Sequence, residues 1–205
     1  MKSRFALSVA LLVLSCMSVT AQEPDQKKVL LGFNAGVNYG IVSYTDEVPE
    51  NVSVNNGEGL RLGLVMEYKI NNYLSIAPQT ELSFSNANIA NDLNDANSEA
   101  YSLFASAMEF MTHIRVSATD NKIHPVFYVG PNFKLPLQSK AAKSTDFNHA
   151  ADLAIDFGFA LENKFKDFVF SPELRFSKGL LNVSEHPLYR NVNYNSLSLI
   201  LTFKG

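Results

Sequence analysis

From Leu31 to Ile41 the chain alternates without a break. Leu31, Phe33, Ala35, Val37, Tyr39 and Ile41 are separated by Gly32, Asn34, Gly36, Asn38 and Gly40. In an extended chain successive side chains point to opposite sides, so one flank of this segment is apolar and the other small and polar. A tilted strand needs about 9–11 residues to cross a bilayer, and few soluble hairpins hold the pattern that long. A chain that repeats such a segment several times is constrained to an all-β fold with two chemically distinct faces.

Seven further segments repeat it. Leu60, Leu62, Leu64, Met66, Tyr68 and Ile70 alternate with Arg61, Gly63, Glu67 and Lys69, and Leu74 to Phe84 set Leu74, Ile76, Pro78, Thr80, Leu82 and Phe84 against Ser75, Gln79, Glu81 and Ser83. The fourth places Phe104, Met108, Phe110, Thr112, Ile114 and Val116 opposite Glu109, His113 and Arg115. The fifth centres on Phe127–Leu135, the sixth on Leu153–Leu161, the seventh on Phe168–Phe176 and the last on Leu197–Phe203. Three connections are short (Asn71-Asn72, Ser117–Lys122, Lys164–Asp167) and four are long and polar (43–57, 86–100, 138–150, 181–193). Short turns on the periplasmic side and long loops outside characterise outer-membrane barrels. The expected fold is an eight-stranded antiparallel up-and-down transmembrane β-barrel with both termini in the periplasm. Pro78, Pro131 and Pro172 interrupt three of the strand patterns, and each requires a bulge or a broken ladder, because proline has no N–H to donate.

The first residues have the layout of a secretory signal: Lys2 and Arg4, the apolar Phe5–Leu14, then small residues up to Ala21. The reading is a signal peptide over 1–21 and one barrel domain over 22–205. Lipidation at Cys16, the single cysteine, is the competing reading. Losing Lys2 and Arg4 takes the formal charge from −3 to −5. An acidic mature chain argues against nucleic acid as a partner.

Alternation alone does not say which face meets lipid. The apolar faces carry no Asp, Glu, Lys or Arg, and a lipid-facing Lys or Arg costs about 2–4 kcal/mol at the bilayer midplane. The opposite faces carry Arg61, Glu67, Lys69, Glu81, Glu109, Arg115, Asp156, Glu162, Glu173 and Arg175, with Lys134 beside them. Eight strands enclose a lumen just wide enough for side chains to fill, so this mixed-charge set is expected inside as a packed network that fixes register and plugs the barrel. A selectivity filter or proton-linked relay is the functional alternative. Tyr39, Phe84, Tyr101 and Phe104 at one end, and Tyr68, Tyr73, Phe127 and Phe168 at the other, suit the two interfacial girdles.

Four stretches carry a family resemblance: Glu109-Phe-Met-Thr-His-Ile-Arg115, His124-Pro-Val-Phe-Tyr-Val-Gly-Pro131, Asp156-Phe-Gly158 and Ser171-Pro-Glu-Leu-Arg-Phe-Ser-Lys-Gly-Leu-Leu-Asn182. They resemble the PorT-like outer-membrane β-barrel family. The resemblance implies a barrel of OmpA/OmpX size and, by kinship, an accessory role in type IX protein secretion. The alternating C-terminal strand ending in Phe203 resembles the signal read by the outer-membrane assembly machinery, with Lys204 and Gly205 beyond it.

His149 near Asp146 and Asp152, or His186 beside Ser184 and Glu185, would be the elements of a rim enzyme, yet no spacing matches a hydrolase motif. Asp92, Asn94, Asp95, Asn97 and Glu99 offer oxygen ligands without the spacing of a calcium loop. The expectation is therefore no catalytic, cofactor or metal site. Lipid, the assembly machinery and secretion-complex proteins are the expected partners. A structural or interaction role leads, and a narrow porin or small-solute channel is the alternative.

Overall fold

The computed structural model describes residues 28–44, 52–91, 100–119, 121–137, 151–183 and 192–205. Eight strands close into one barrel: β1 (Val29–Tyr44), β3 (Gly57–Lys69), β4 (Leu74–Phe84), β7 (Ser106–Ser117), β8 (Ile123–Pro136), β9 (Asp152–Lys164), β10 (Val169–Gly179) and β11 (Val192–Lys204). Every neighbour pairs antiparallel, and β11 returns to β1 to shut the ring. The three remaining strands, β2 (Val52–Asn55), β5 (Asn88–Asn91) and β6 (Ala100–Ser102), form a separate small sheet. β2 and β5 lie within the first two stretches read from the sequence as long polar loops, and β6 runs from the end of the second into Tyr101 and Ser102.

The apolar flanks face outward. Phe157 and Leu199 are half exposed, whereas Glu173 and Arg175 are almost wholly shielded. That inverts a soluble barrel and suits one whose solvent is lipid. Among the described residues no helix is long and apolar enough to cross a membrane; the strands do the crossing.

The three prolines are accommodated by the same device. The β3–β4 ladder is unpaired between Val65↔Gln79 and Tyr68↔Ile76, where Pro78 falls. The β7–β8 ladder skips between Met111↔Asn132 and Ile114↔Val129, at Pro131, and the β9–β10 ladder between Phe170↔Asn163 and Glu173↔Ala160, at Pro172. Each proline keeps register with its other neighbour: Thr112, Ile155 and Leu201 respectively. One ladder opens by two residues on both strands, so the inside–outside parity survives and no bulge is needed.

The links at 70–73 and 165–168 and the described residues 118–119 and 121–122 gather at one end, together with Lys28 and Gly205. In the first link the Asn71 side-chain oxygen accepts from the N–H groups of Tyr73 and Leu74, at 2.8 and 2.9 Å. The opposite end is roofed. Val42, Ile89, Leu103, Phe104, Val183, Val192 and Tyr194 pack into an apolar cluster over the lumen. This places Phe104 differently from the girdle position expected of it. It precedes β7, adopts a left-handed φ of 49° and is buried against Tyr194 at 5.0 Å between ring centroids. A left-handed phenylalanine is costly, and burial in the roof offsets the strain.

Candidate functional site

The lumen is filled by side chains that the parity of each strand turns inward. Its buried charges are the cations Arg61, Arg115, Lys134, Arg175 and Lys204 and the carboxylates of Glu67, Glu81, Glu109, Asp152, Asp156, Glu162 and Glu173, and the imidazoles of His113 and His124 are buried among them. Unpaired charges in such surroundings would cost several kcal/mol each, so the arrangement stands or falls on pairing.

The upper tier is built on Arg61, Arg175, Glu81 and Glu109. Arg61 bonds Glu81 at 2.8 Å and Glu109 at 3.3 Å. Arg175 reaches both Glu81 oxygens at 3.0 Å. β10 and β4 stand on opposite sides of the ring, so this contact ties the barrel across its diameter. Asn34 donates to Glu81 at 2.8 Å, and Asn132 to Glu109 at 2.7 Å and to Asp156 at 3.2 Å.

His113 joins this tier with a defined tautomer. Gln79 Oε1 accepts from Asn34 and Arg175, which turns the Gln79 amide nitrogen toward His113 Nδ1 at 3.2 Å. Nδ1 is then an acceptor, and Nε2 donates to Asp156 at 3.0 Å. The ring is satisfied as neutral imidazole, stacked 4.7 Å from Tyr128.

The lower tier surrounds Arg115, which lies 2.9 Å from Glu162, 3.5 Å from Glu173 and 4.0 Å from Glu67. Lys204 bonds Glu67 and sits 2.6 Å from Glu162. His124 Nδ1 faces the Asn121 carbonyl at 2.9 Å and its Nε2 faces Glu162 at 3.4 Å, so both ring nitrogens point at acceptors. Tyr128 links the tiers: Arg175 Nε lies 3.4 Å from its hydroxyl, and Arg115 sits 5.0 Å over its ring. A glycine makes room for it. Gly158 is directly opposite Tyr128 in register, and a Cβ there would collide with the tyrosine ring.

Nine of the ten residues named from the sequence (Arg61, Glu67, Glu81, Glu109, Arg115, Asp156, Glu162, Glu173 and Arg175) lie in these two tiers. Lys69 does not; it lines a cavity of about 530 Å³ at the turn end. Lys204 was missed, because it follows the last aromatic; its parity with Thr202 was the available signal. His113 lies in mid-lumen, and Gln79, Asn34, Asn132 and Tyr128 were missed as uncharged members. Asp152 is buried at the roof end, where its Oδ1 accepts from the Leu181 N–H at 3.2 Å. Asp146, His149, Ser184, Glu185 and His186, the calcium-ligand set Asp92–Glu99 and the Tyr101 side chain lie outside the described residues. Among the described residues no group of three His, Cys, Asp or Glu is placed to hold a metal ion.

A closed eight-stranded barrel, apolar outside and ionic within, with crossing strands and a side-chain-filled lumen, defines a small membrane-spanning β-barrel. The model of the outer membrane protein beta-barrel domain matches residues 20–185. The chain belongs to that family and is a bacterial outer-membrane β-barrel protein of the small eight-stranded type. No curated protein matches it. Neisserial surface protein A is similar in structure, with a TM-score of 0.56 at 10% identity over 87% of this chain and 96% of that one. Outer membrane protein OprG from Pseudomonas aeruginosa gives 0.51 at 10% identity over 86% and 94%. At such identity the likeness is one of fold.

Proposed function

We propose that this protein is a closed, non-conducting barrel with a structural or interaction role, acting through its ends as an accessory to protein secretion of the type IX kind. The carrying observation is the double closure of the lumen. Arg61, Glu81, Asp156 and Arg175 across its middle expose 1% or less of their surface, and Ile89, Leu103 and Val192 in the roof expose none. A water-sized passage beside these groups would leave them solvent-accessible. The resemblance of four stretches to PorT-like barrels supports the secretion role, and the grouping of short turns with both described chain ends supports a periplasmic position for that end.

The test is conductance. Purified protein in planar bilayers is expected to give no discrete, reproducible current steps; such steps would overturn the closed-barrel reading in favour of a narrow porin. Deletion of the gene is expected to reduce export of type IX cargo, and unchanged export would remove the secretion role.

A further inference from the structure

The turn end differs from the sealed end in shape and in charge. Its cavity of about 530 Å³ falls within the ~300–1,000 Å³ of ordinary ligand pockets. Its floor is the lower ionic tier, where Glu67 and Glu162 are held by Lys204 and Arg115. Lysines from two opposite strand pairs stand around the cavity, and Lys69 and Lys164 line it. Lys69 N–H donates to the Lys28 carbonyl, and Lys164 N–H to the Lys122 carbonyl, both at 2.8 Å. The first pair belongs to β1 and β3, the second to β8 and β9, and these strand pairs face each other across the barrel.

All four lysines fall on the lumen-facing parity, two residues beyond the buried Leu30, Glu67, His124 and Glu162. They therefore edge the mouth rather than the bilayer. Lys166 stands beside them in the β9–β10 turn and lines the cavity together with Lys69 and Lys164, while Lys28 and Lys122 are exposed next to it. Asp167 is the carboxylate at that level among the described residues, while Asp120 lies outside them. The aromatic rings of Tyr73, Phe165 and Phe168 complete the wall.

We propose that this cation-ringed mouth is a docking site for an acidic peptide segment of a partner protein, received from the turn side. The inference rests on the interaction-protein reading above and names the chemistry of its partner. Charge selects the occupant: Glu67 and Glu162 in the floor are paired with Lys204 and Arg115, which leaves Lys28, Lys69, Lys122 and Lys166 around the mouth against Asp167 among the described residues, and such a surplus focuses a positive potential into a cleft with low-dielectric walls. Parity argues against anionic lipid headgroups, because residues on the lumen-facing side turn away from the leaflet.

The probe is a short fluorescein-labelled Glu/Asp peptide, titrated by anisotropy against the folded barrel in zwitterionic nanodiscs. Saturable binding is expected, weakening as salt rises from about 0.05 to about 0.3 M. The variant Lys28→Gln/Lys69→Gln/Lys122→Gln/Lys166→Gln is expected to bind at least about tenfold more weakly, with heat-modifiable migration confirming that it folds. Lys178→Gln, on the outward parity of β10, is expected to bind as the parent does. Absence of saturable binding, equal affinity in the four-lysine variant, or equal loss in Lys178→Gln would overturn the proposal. So would a defect confined to retention on anionic-lipid vesicles with peptide affinity unchanged. Conductance steps would instead strike the closed-barrel reading, so the two failures are distinguishable.

Discussion

Replacing Arg175 by Met tests whether the network holds the barrel together or merely occupies its lumen. The guanidinium bonds both oxygens of Glu81, the Gln79 carbonyl at 3.2 Å and the Tyr128 hydroxyl at 3.4 Å, from a fully buried position. Removing one partner of a buried ion pair costs about 3–5 kcal/mol, because the other charge stays behind without compensation. Glu81 retains Arg61 and Asn34, both at 2.8 Å, which places Arg175→Met near the lower bound, about 3 kcal/mol. With a urea slope of about 2 kcal/mol per molar, the unfolding midpoint in lipid vesicles falls by about 1.5 M. The folded fraction is read by its shifted migration on unheated gels.

Adding Glu81→Gln removes the other member of the pair and leaves Arg61 with Glu109, so the double loss should fall about 1–2 kcal/mol short of the sum of the two single losses, the coupling between two groups in contact. Arg175→Lys keeps the charge but loses the fork, so its midpoint should lie between those of parent and Met variant. A midpoint for Arg175→Met within about 0.5 kcal/mol of the parent would refute the reasoning, as would purely additive losses in the double variant.

Leu199→Arg places a cation on the exposed lipid flank of β11, and a loss of about 2–4 kcal/mol is expected in the same urea assay, against far less for Leu199→Gln. Gly158→Ala forces Tyr128 off its seat, which should cost about 1–3 kcal/mol and weaken the near-ultraviolet circular dichroism of the tyrosines. Phe104→Ala removes one of the two aromatic rings of the roof. Limited proteolysis should then cut the long-loop end faster, while the barrel's midpoint changes by less than that of Arg175→Met.

The sequence was most legible where the bilayer is least forgiving. Leu60–Ile70 and Leu197–Phe203 show their lipid flanks at a glance because charge there is heavily penalised, and Glu173 and Arg175 follow as lumen residues by parity. The pattern fades where strands leave the membrane. β11 begins at Val192, five residues before its clear alternation, because Tyr194, Asn195 and Ser196 are buried in succession beneath the roof. β2 and β5 span four residues and β6 three, too few to display a period of two. Phe104 kept the parity of Met108 on paper, but its left-handed backbone takes it out of the strand and under the roof.

Which inward charge meets which was not legible at all, for a geometric reason. Parity assigns a side chain to the lumen and is indifferent to its partner, whereas partners are fixed by ring position and strand stagger together. Arg175 and Glu81 are 94 residues apart and meet because β10 and β4 stand opposite each other in the closed ring. Glu109 and Lys134 are adjacent in register, yet Glu109 is bonded by Arg61 and Asn132 while Lys134 Nζ lies 5.1 Å over the Tyr194 ring. Register adjacency therefore does not decide the partners of the lumen: His124 does face its register neighbour Glu162, whereas Glu109 and Lys134 each turn elsewhere. The closure on which the non-conducting reading depends comes from these transverse contacts. A channel and a plug can thus share one alternation pattern and one inventory of charges, and differ only in whether a long side chain such as Arg175 reaches the far wall.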